Sequence, residues 1–248
     1  MKKILLTLTA VSAGIASSNA ATIVVGDYAD GAASFNSSVL NNDLIDKNET
    51  TATHVRTSGT VNGGWATDGI FDGLAYDASS DRAGISYYTN AEVVDTFTLS
   101  GSATGYDITS ITSITSWEGT NNDHAAQSYE ILISTVATPS YTTLALTETI
   151  DPNDGGSGYV AFNNMVWYDP GEYEDNGSAD TSRVTITDTT GVIATGVLGI
   201  QFRITNDLGN KTVFNEIDVV GAATVPEPSA FALLGLAGMA LLIRRRRA

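Results

Sequence analysis

Cysteine is absent from the 248 residues. That removes disulfides, thiolate zinc sites, iron–sulfur clusters and cysteine nucleophiles together. Histidine occurs only as His54 and His124. A Ser–His–Asp system needs a histidine and a nucleophile motif, and neither histidine sits in one. Basic residues are scarce, 12 Lys and Arg against 28 Asp and Glu, for a formal net charge of −16. Phosphate contacts need clustered Lys and Arg, so the balance argues against DNA or RNA as a partner. Lysine, a helix former, occurs 4 times, whereas β-branched threonine occurs 32 times, which favours strands over helices. The 42% hydrophobic content argues against wholesale disorder. The length fits one domain of up to about 200 residues with accessory segments.

Those accessory segments are at the ends. Met1-Lys2-Lys3, an apolar run Ile4–Ala16 and Ser17-Ser18-Asn19-Ala20 follow the order of a secretory signal peptide. Ser18 and Ala20 occupy the small-residue cleavage positions, so residues 1–20 are read as the signal peptide. At the other end, Pro226-Glu227-Pro228 precedes an apolar run ending at Ile243, followed by Arg244, Arg245, Arg246 and Arg247. The run is shorter than the ~20 residues that span a bilayer comfortably. Bilayer thinning and snorkelling arginines cover the shortfall, so a short transmembrane helix is expected. The arginines hold their end on the cytoplasmic side.

This tail, residues 223–248, resembles the PEP-CTERM sorting signal of Gram-negative bacteria. The resemblance implies an inner-membrane-anchored precursor and an exosortase-type processing enzyme that cuts near the Pro-Glu-Pro. It further implies a mature protein at the cell surface or in an exopolysaccharide or biofilm matrix. An ordinary C-terminal membrane anchor is the alternative reading. Removing both ends takes away half of the twelve cations and only Glu227 of the acids, leaving six against 27 and a net charge of −21. Such a body repels other anions, and its hard oxygens suit divalent cations.

The body, residues 21–222, reads as short strands between turns. Val184 and Ile186, then Ile200, Phe202 and Ile204, then Ile217 and Val219, each alternate with polar residues at the period of a half-buried strand. Phe97–Leu99 and Ser128–Ile133 are further candidates, and Ser100-Gly101, Asp151–Gly155, Asp169–Gly171 and Thr190-Gly191 mark turns. Ile108, Ile111 and Ile114 recur every three residues, which fits neither regular period; a strand whose phase is shifted by a bulge accommodates them. The pattern predicts an all-β sandwich or jelly roll.

The order of segments resembles the galactose-binding-like jelly roll of discoidin domains and carbohydrate-binding modules. Thr67-Asp68-Gly69, Asp95–Leu99, Tyr106–Ile111, Ser128–Ser134, Gly199–Arg203 and Asn215–Gly221 carry the resemblance. The segment Asp151–Asp180 departs from it as a long insert. Many such domains hold one structural Ca²⁺, and the resemblance implies Asp68 and Glu216 as its ligands. The competing reading gives Asp68 an Asx-turn and Glu216 a solvated place on a strand.

Sugar binding uses aromatic platforms with amide or imidazole donors on loops. Trp117, Asn121, Asn122 and His124 lie between two strand candidates, where the resembled family often places its binding loop. Trp167, Tyr168 and Tyr173 in the insert form a second set, and for each of these aromatics, as for Trp117, a place in the core is the alternative to a platform. His54 and Trp65 are given structural roles alone. The expectation is an exported, non-enzymatic, glycan-binding surface or matrix protein. The alternatives are a structural matrix protein without a specific ligand, and a carbohydrate-active enzyme using two of the 27 body carboxylates.

Overall fold

The computed structural model describes residues 22–30, 43–45, 52–58, 86–88, 92–117, 126–150, 158–169, 180–205 and 212–225. Within them the chain forms strands and no helix. The strands are β1 (Thr22–Asp30), β2 (Ala52–Ser58), β3 (Ser86–Tyr88), β4 (Val93–Leu99), β5 (Tyr106–Trp117), β6 (Gln127–Thr135) and β7 (Thr142–Thr143). They continue as β8 (Thr149–Ile150), β9 (Tyr159–Phe162), β10 (Met165–Tyr168), β11 (Asp180–Asp188), β12 (Ala194–Ile204) and β13 (Thr212–Ala223). Among the described residues no helix is long and apolar enough to cross a membrane. Residues 1–20 and 226–248, where the signal peptide and the terminal helix are expected, lie outside the described residues.

All described pairings are antiparallel. One layer runs β1-β11-β5-β13-β3 and the other runs β2-β4-β12-β6-β10-β9-β8, with β7 also on β6. The layers join where the start of β5 pairs β12 at Ile108↔Ala194 and Tyr106↔Val197. β1 also lies against β8 and β9, so the sandwich nearly closes into a barrel. This is the all-β jelly-roll class that the alternation predicts.

The expected periodicities are the strands observed. Val184, Ile186, Ile200, Phe202, Ile204, Ile217 and Val219 are all buried in one core, while Arg183, Thr185, Gln201 and Arg203 are half-exposed; on β13 the alternating Asp218 is buried as well, so that strand is covered on both faces and not half-buried. The three-residue isoleucine spacing is resolved by a bulge. Val220 pairs Ser110 and Gly221 pairs Ile108, so Thr109 is the extra residue on β5. The bulge returns Ile108 and Ile111 to the same core. From Ile111 to Trp117 the register with β11 is regular, so Ile114 falls on the opposite face of β5, where it is also buried.

Aromatic rings tie the layers together. Phe97 of β4 meets Phe202 of β12 edge to face at 6.1 Å, Phe202 meets Tyr129 of β6 at 6.2 Å, and Tyr129 meets Phe214 of β13 at 5.8 Å. Burying each ring contributes roughly 1.5–3 kcal/mol. The insert expected between Asp151 and Asp180 contains the β9–β10 hairpin. Its two-residue turn, Asn163-Asn164, has φ of 52° and 62°, the left-handed pair of a type I′ turn.

Candidate functional site

The register places the strand ends at two poles. At one pole β1 ends at Asp30, opposite Asp180 at the start of β11, which in turn faces Trp117 at the end of β5. Gln127 at the start of β6 pairs Tyr168 at the end of β10, and Ile204 near the end of β12 pairs both Tyr129 and Val93. The connections after β1, β2, β5, β10 and β12 therefore begin at this loop pole. At the opposite pole Thr22 faces Asp188 and Ala223 faces Tyr106, so the start of the body and the exit toward Pro226 lie together there.

Beneath the loop pole lies a polar network with no exposure to solvent. The Tyr129 hydroxyl donates to Ser113 Oγ at 2.8 Å, and Ser113 Oγ donates to Gln127 Oε1 at 2.5 Å. Gln127 Nε2 donates to Ser182 Oγ at 2.8 Å, and Ser182 Oγ lies 2.8 Å from Thr115 Oγ1. The five residues come from β5, β6 and β11, so the network links the two layers. Burial pushes the Tyr129 phenol well above its ordinary value, an effect that the hydrogen bond with Ser113 only partly offsets. Each member accepts or donates within the chain, which is what makes the desolvation of so many polar groups tolerable.

A second constellation sits on β2, which among the described residues pairs with β4 alone. Cross-strand pairing puts His54 opposite Phe97 and Arg56 opposite Asp95 of β4. Asp95 is fully buried. Arg56 Nε reaches its Oδ1 at 2.8 Å, Arg56 Nη2 reaches its Oδ2 at 2.9 Å, and His54 Nε2 donates to Oδ1 at 2.7 Å. The His54 ring stacks on Phe97 at 4.7 Å and 19°, with its side chain 27% exposed. Burial alone pushes the Asp95 carboxyl up, but the hydrogen bonds and positive charge of His54 and Arg56 outweigh it and hold the group below its ordinary value.

The other two described arginines are also ion-paired: Arg183 with Asp27 at 2.7 Å, and Arg203 with Glu130 at 2.6 Å. The cationic side chains of the described body are thus occupied by its own acids.

Of the residues expected to bind sugar, Trp117 closes β5 at the loop pole, and Asn121, Asn122 and His124 lie outside the described residues. In the second set, Tyr168 is buried in the core, its ring 2.8 Å from where a Cβ on Gly26 would stand. Of its two readings the core one holds: Tyr168 belongs to a strand, and a glycine at position 26 leaves room for the ring. Trp167 is half-buried on β10, and Tyr173 lies outside the described residues, as do Trp65 and the sorting residues Pro226, Glu227, Pro228, Arg244, Arg245, Arg246 and Arg247.

Of the two expected metal ligands, Asp68 is outside the described residues. Glu216 is 1% exposed on β13, so it is not a solvated strand residue. Its carboxylate chemistry suits Ca²⁺. Among the described residues no group of three or more His, Asp or Glu is placed to hold a metal ion.

The His54–Arg56–Asp95 cluster is the constellation that sequence reasoning missed. Its signal was present as two alternate polar residues, His54 and Arg56, on one strand face. Only the pairing of β2 with β4 brings Asp95 to them.

No curated protein matches the chain by sequence. Solved structures of similar fold include CpGH89CBM32-5 from Clostridium perfringens, in complex with GalNAc-β-1,3-galactose, at 14% identity over 72% of this chain and 99% of that one, TM-score 0.40. Another is the family 32 carbohydrate-binding module of C. perfringens NanJ, in complex with galactose, at 13% identity over 72% and 97%, TM-score 0.39. A third is the F5/8 type C domain of a Bacteroides fragilis protein, at 10% identity over 84% and 99%, TM-score 0.30. Residues 224–247 match the PEP-CTERM protein-sorting motif, so the all-β body carries the tail of an exported protein whose precursor is anchored in a membrane.

Proposed function

We propose that the protein is a non-enzymatic glycan-binding module, exported and presented at the cell surface or in an exopolysaccharide matrix. The observation that carries this reading is the two-pole arrangement. The tail leaves beside Tyr106, at the pole opposite the end of β5 and the start of β6. A body tethered by that tail turns its loop pole, with Trp117, away from the membrane. Trp117, Asn121, Asn122 and His124 are the proposed ligand contacts: a flat ring to stack on a sugar face, with amide and imidazole groups to hydrogen-bond its hydroxyls. The surplus of acid over base directs the reading toward neutral or cation-bridged polysaccharide. An exosortase-type enzyme is the proposed processing partner.

The test is saturable binding of the body to a polysaccharide or glycan array. Binding lost in Trp117→Ala, with the melting temperature kept, supports the site. Binding that survives intact in that variant overturns the site. An array with no signal favours the alternative, a structural matrix protein without a specific ligand.

We also propose one structural Ca²⁺ held by Glu216 and Asp68 with loop carbonyls. The support is a carboxylate of the right chemistry buried on β13. An ion that binds only the folded state raises the melting temperature, and EDTA should reverse that shift in the wild type and leave Asp68→Ala unmoved. No EDTA effect on the wild type ends the proposal.

A further inference from the structure

Thr224 is the second residue before the Pro-Glu-Pro, and the fold holds it by all of its polar groups. Its N–H donates to Gly105 O at 2.9 Å, and its carbonyl accepts from Thr104 Oγ1 at 2.7 Å. Its hydroxyl donates to Asp107 Oδ1 at 2.6 Å and accepts from Gly196 N at 3.2 Å. The same Gly196 N–H lies 3.3 Å from Asp107 Oδ1, which closes the ring of contacts. Three separate pieces of chain therefore converge on one residue: the turn before β5, the first residues of β5, and the register shift in β12 between Ala194 and Val197.

The convergence depends on two glycines. Gly105 and Gly196 have φ of 74° and 64°, and a Cβ on Gly105 would stand 2.4 Å from the carbonyl carbon of Gly196. The last ladder pair of β13 is Ala223↔Tyr106, so the clamp takes hold where the sheet pairing stops. The next residue, Val225, is 80% exposed.

We propose that this clamp sets the upstream limit of tail processing, so that the mature chain keeps Thr224 and is cut after Val225 or a later residue. The proposal rests on the reading of the tail as a processed sorting signal. Cutting a peptide bond transfers the acyl carbon from the amide nitrogen to water or an acceptor amine. The nitrogen takes a proton, the tail leaves with a free amino terminus, and nothing is oxidised or reduced. A peptidase needs the chain lifted away from the fold around the bond it cuts, because exposed, loosely held segments are where nicking concentrates. Upstream of Val225 that requires releasing the contacts to Gly105, Thr104, Asp107 and Gly196. Downstream it does not involve them.

The test has two arms. In the first, the purified full chain is digested with a broad-specificity protease, and the C-terminal peptide of the resistant body is read by mass spectrometry. The expected body ends at Val225 or later; a wild-type body that ends at Thr224 or earlier overturns the clamp. Asp107→Ala, which removes the acceptor of the Thr224 hydroxyl, should speed loss of Thr224 by about tenfold. Asp107→Asn, which keeps an acceptor oxygen, should restore the wild-type end, and equal trimming in all three proteins also overturns the clamp. In the second arm, the chain is expressed in a host with an exosortase and the mature C-terminus is sequenced. An end at Val225 or later supports the limit, and an end at Thr224 or earlier refutes it. A tail left uncut in that host counts against the processing step itself, while the digestion arm decides the clamp separately.

Discussion

The two poles of the sandwich are sealed in different ways. At the tail pole, backbone meets backbone: Gly105 and Gly196 cross in contact, and Thr224 is bound into the crossing by main-chain groups, the Thr104 hydroxyl and one carboxylate. At the loop pole, side chains make the seal: Ser113, Thr115, Gln127, Tyr129 and Ser182 bond to one another across the layers. The difference has a physical consequence. A seal made of backbone leaves no room for a Cβ and fixes the path of the chain. A seal made of side chains closes the core below the connecting segments, so those segments can differ in length and content without opening the interior. The first arrangement suits an anchor point and the second suits a recognition surface.

The largest loss of stability is expected at the tail pole. Gly105→Ala adds a Cβ into the Gly196 backbone at a positive φ, and strain and overpacking together should cost on the order of 3–4 kcal/mol in chemical denaturation. Gly191→Ala is the matched control. Its φ is 84° but nothing lies within 4 Å of the added carbon, so only the strain of about 1 kcal/mol should appear. Equal losses at the two glycines would mean that the close approach contributes nothing.

Asp95 comes next. Asp95→Asn removes the charge that Arg56 and His54 share, and should cost about 2–3 kcal/mol at neutral pH. The folded-state value of Asp95 is lowered, so its contribution is complete above the ordinary aspartate range and is lost as pH falls through the folded value. Melting temperature below about pH 4 should therefore fall more steeply for the wild type than for Asp95→Asn. Parallel acid profiles would remove the cluster from the account of stability.

At the loop pole, Gln127→Leu leaves Ser113 and Ser182 without their buried amide partner and should cost about 1–3 kcal/mol. The effect should stay local, with faster amide exchange at the ends of β5, β6 and β11 and unchanged exchange around Thr224. The smallest effect belongs to Arg183→Ala. Its pair with Asp27 is more than a third exposed on both sides, so a loss within about 0.5 kcal/mol that shrinks further in high salt is expected.

Much of the fold was legible because strands with one buried face write a period of two into the chain. Val184/Ile186 and Ile200/Phe202/Ile204 needed no tertiary knowledge. Even the irregular Ile108–Ile111 step was readable, since a bulge is the ordinary way for a strand to change phase. β2 and the β9–β10 hairpin were not read. β2 is a mostly polar strand, and the hairpin lies in a stretch punctuated by Asp, Glu and Gly; its Asn163-Asn164 turn was the available signal. The site was less legible. Asp95 looked like the polar first residue of an apolar strand, and only its partner strand makes it the centre of an ion cluster. Tyr168 could be read as a platform or as core, and its burial on a strand makes it core. Glu216, which alternation would place in solvent, is buried.

By itself the sequence determined what local chemistry can determine. The absence of cysteine and the scarcity of cations exclude whole classes of site. The alternation specifies strands. The ordered pieces at each end, a basic and apolar leader and a Pro-Glu-Pro, apolar and arginine tail, are linear signals that need no fold to be recognised. The tertiary structure decided which distant residues meet. Separations of 39 residues for Arg56 and Asp95, and of 117 for Thr224 and Asp107, are spanned by antiparallel pairing across a nearly closed sandwich. No period in a linear chain encodes those encounters. They follow from register, and register is settled only when both layers bury their apolar faces together.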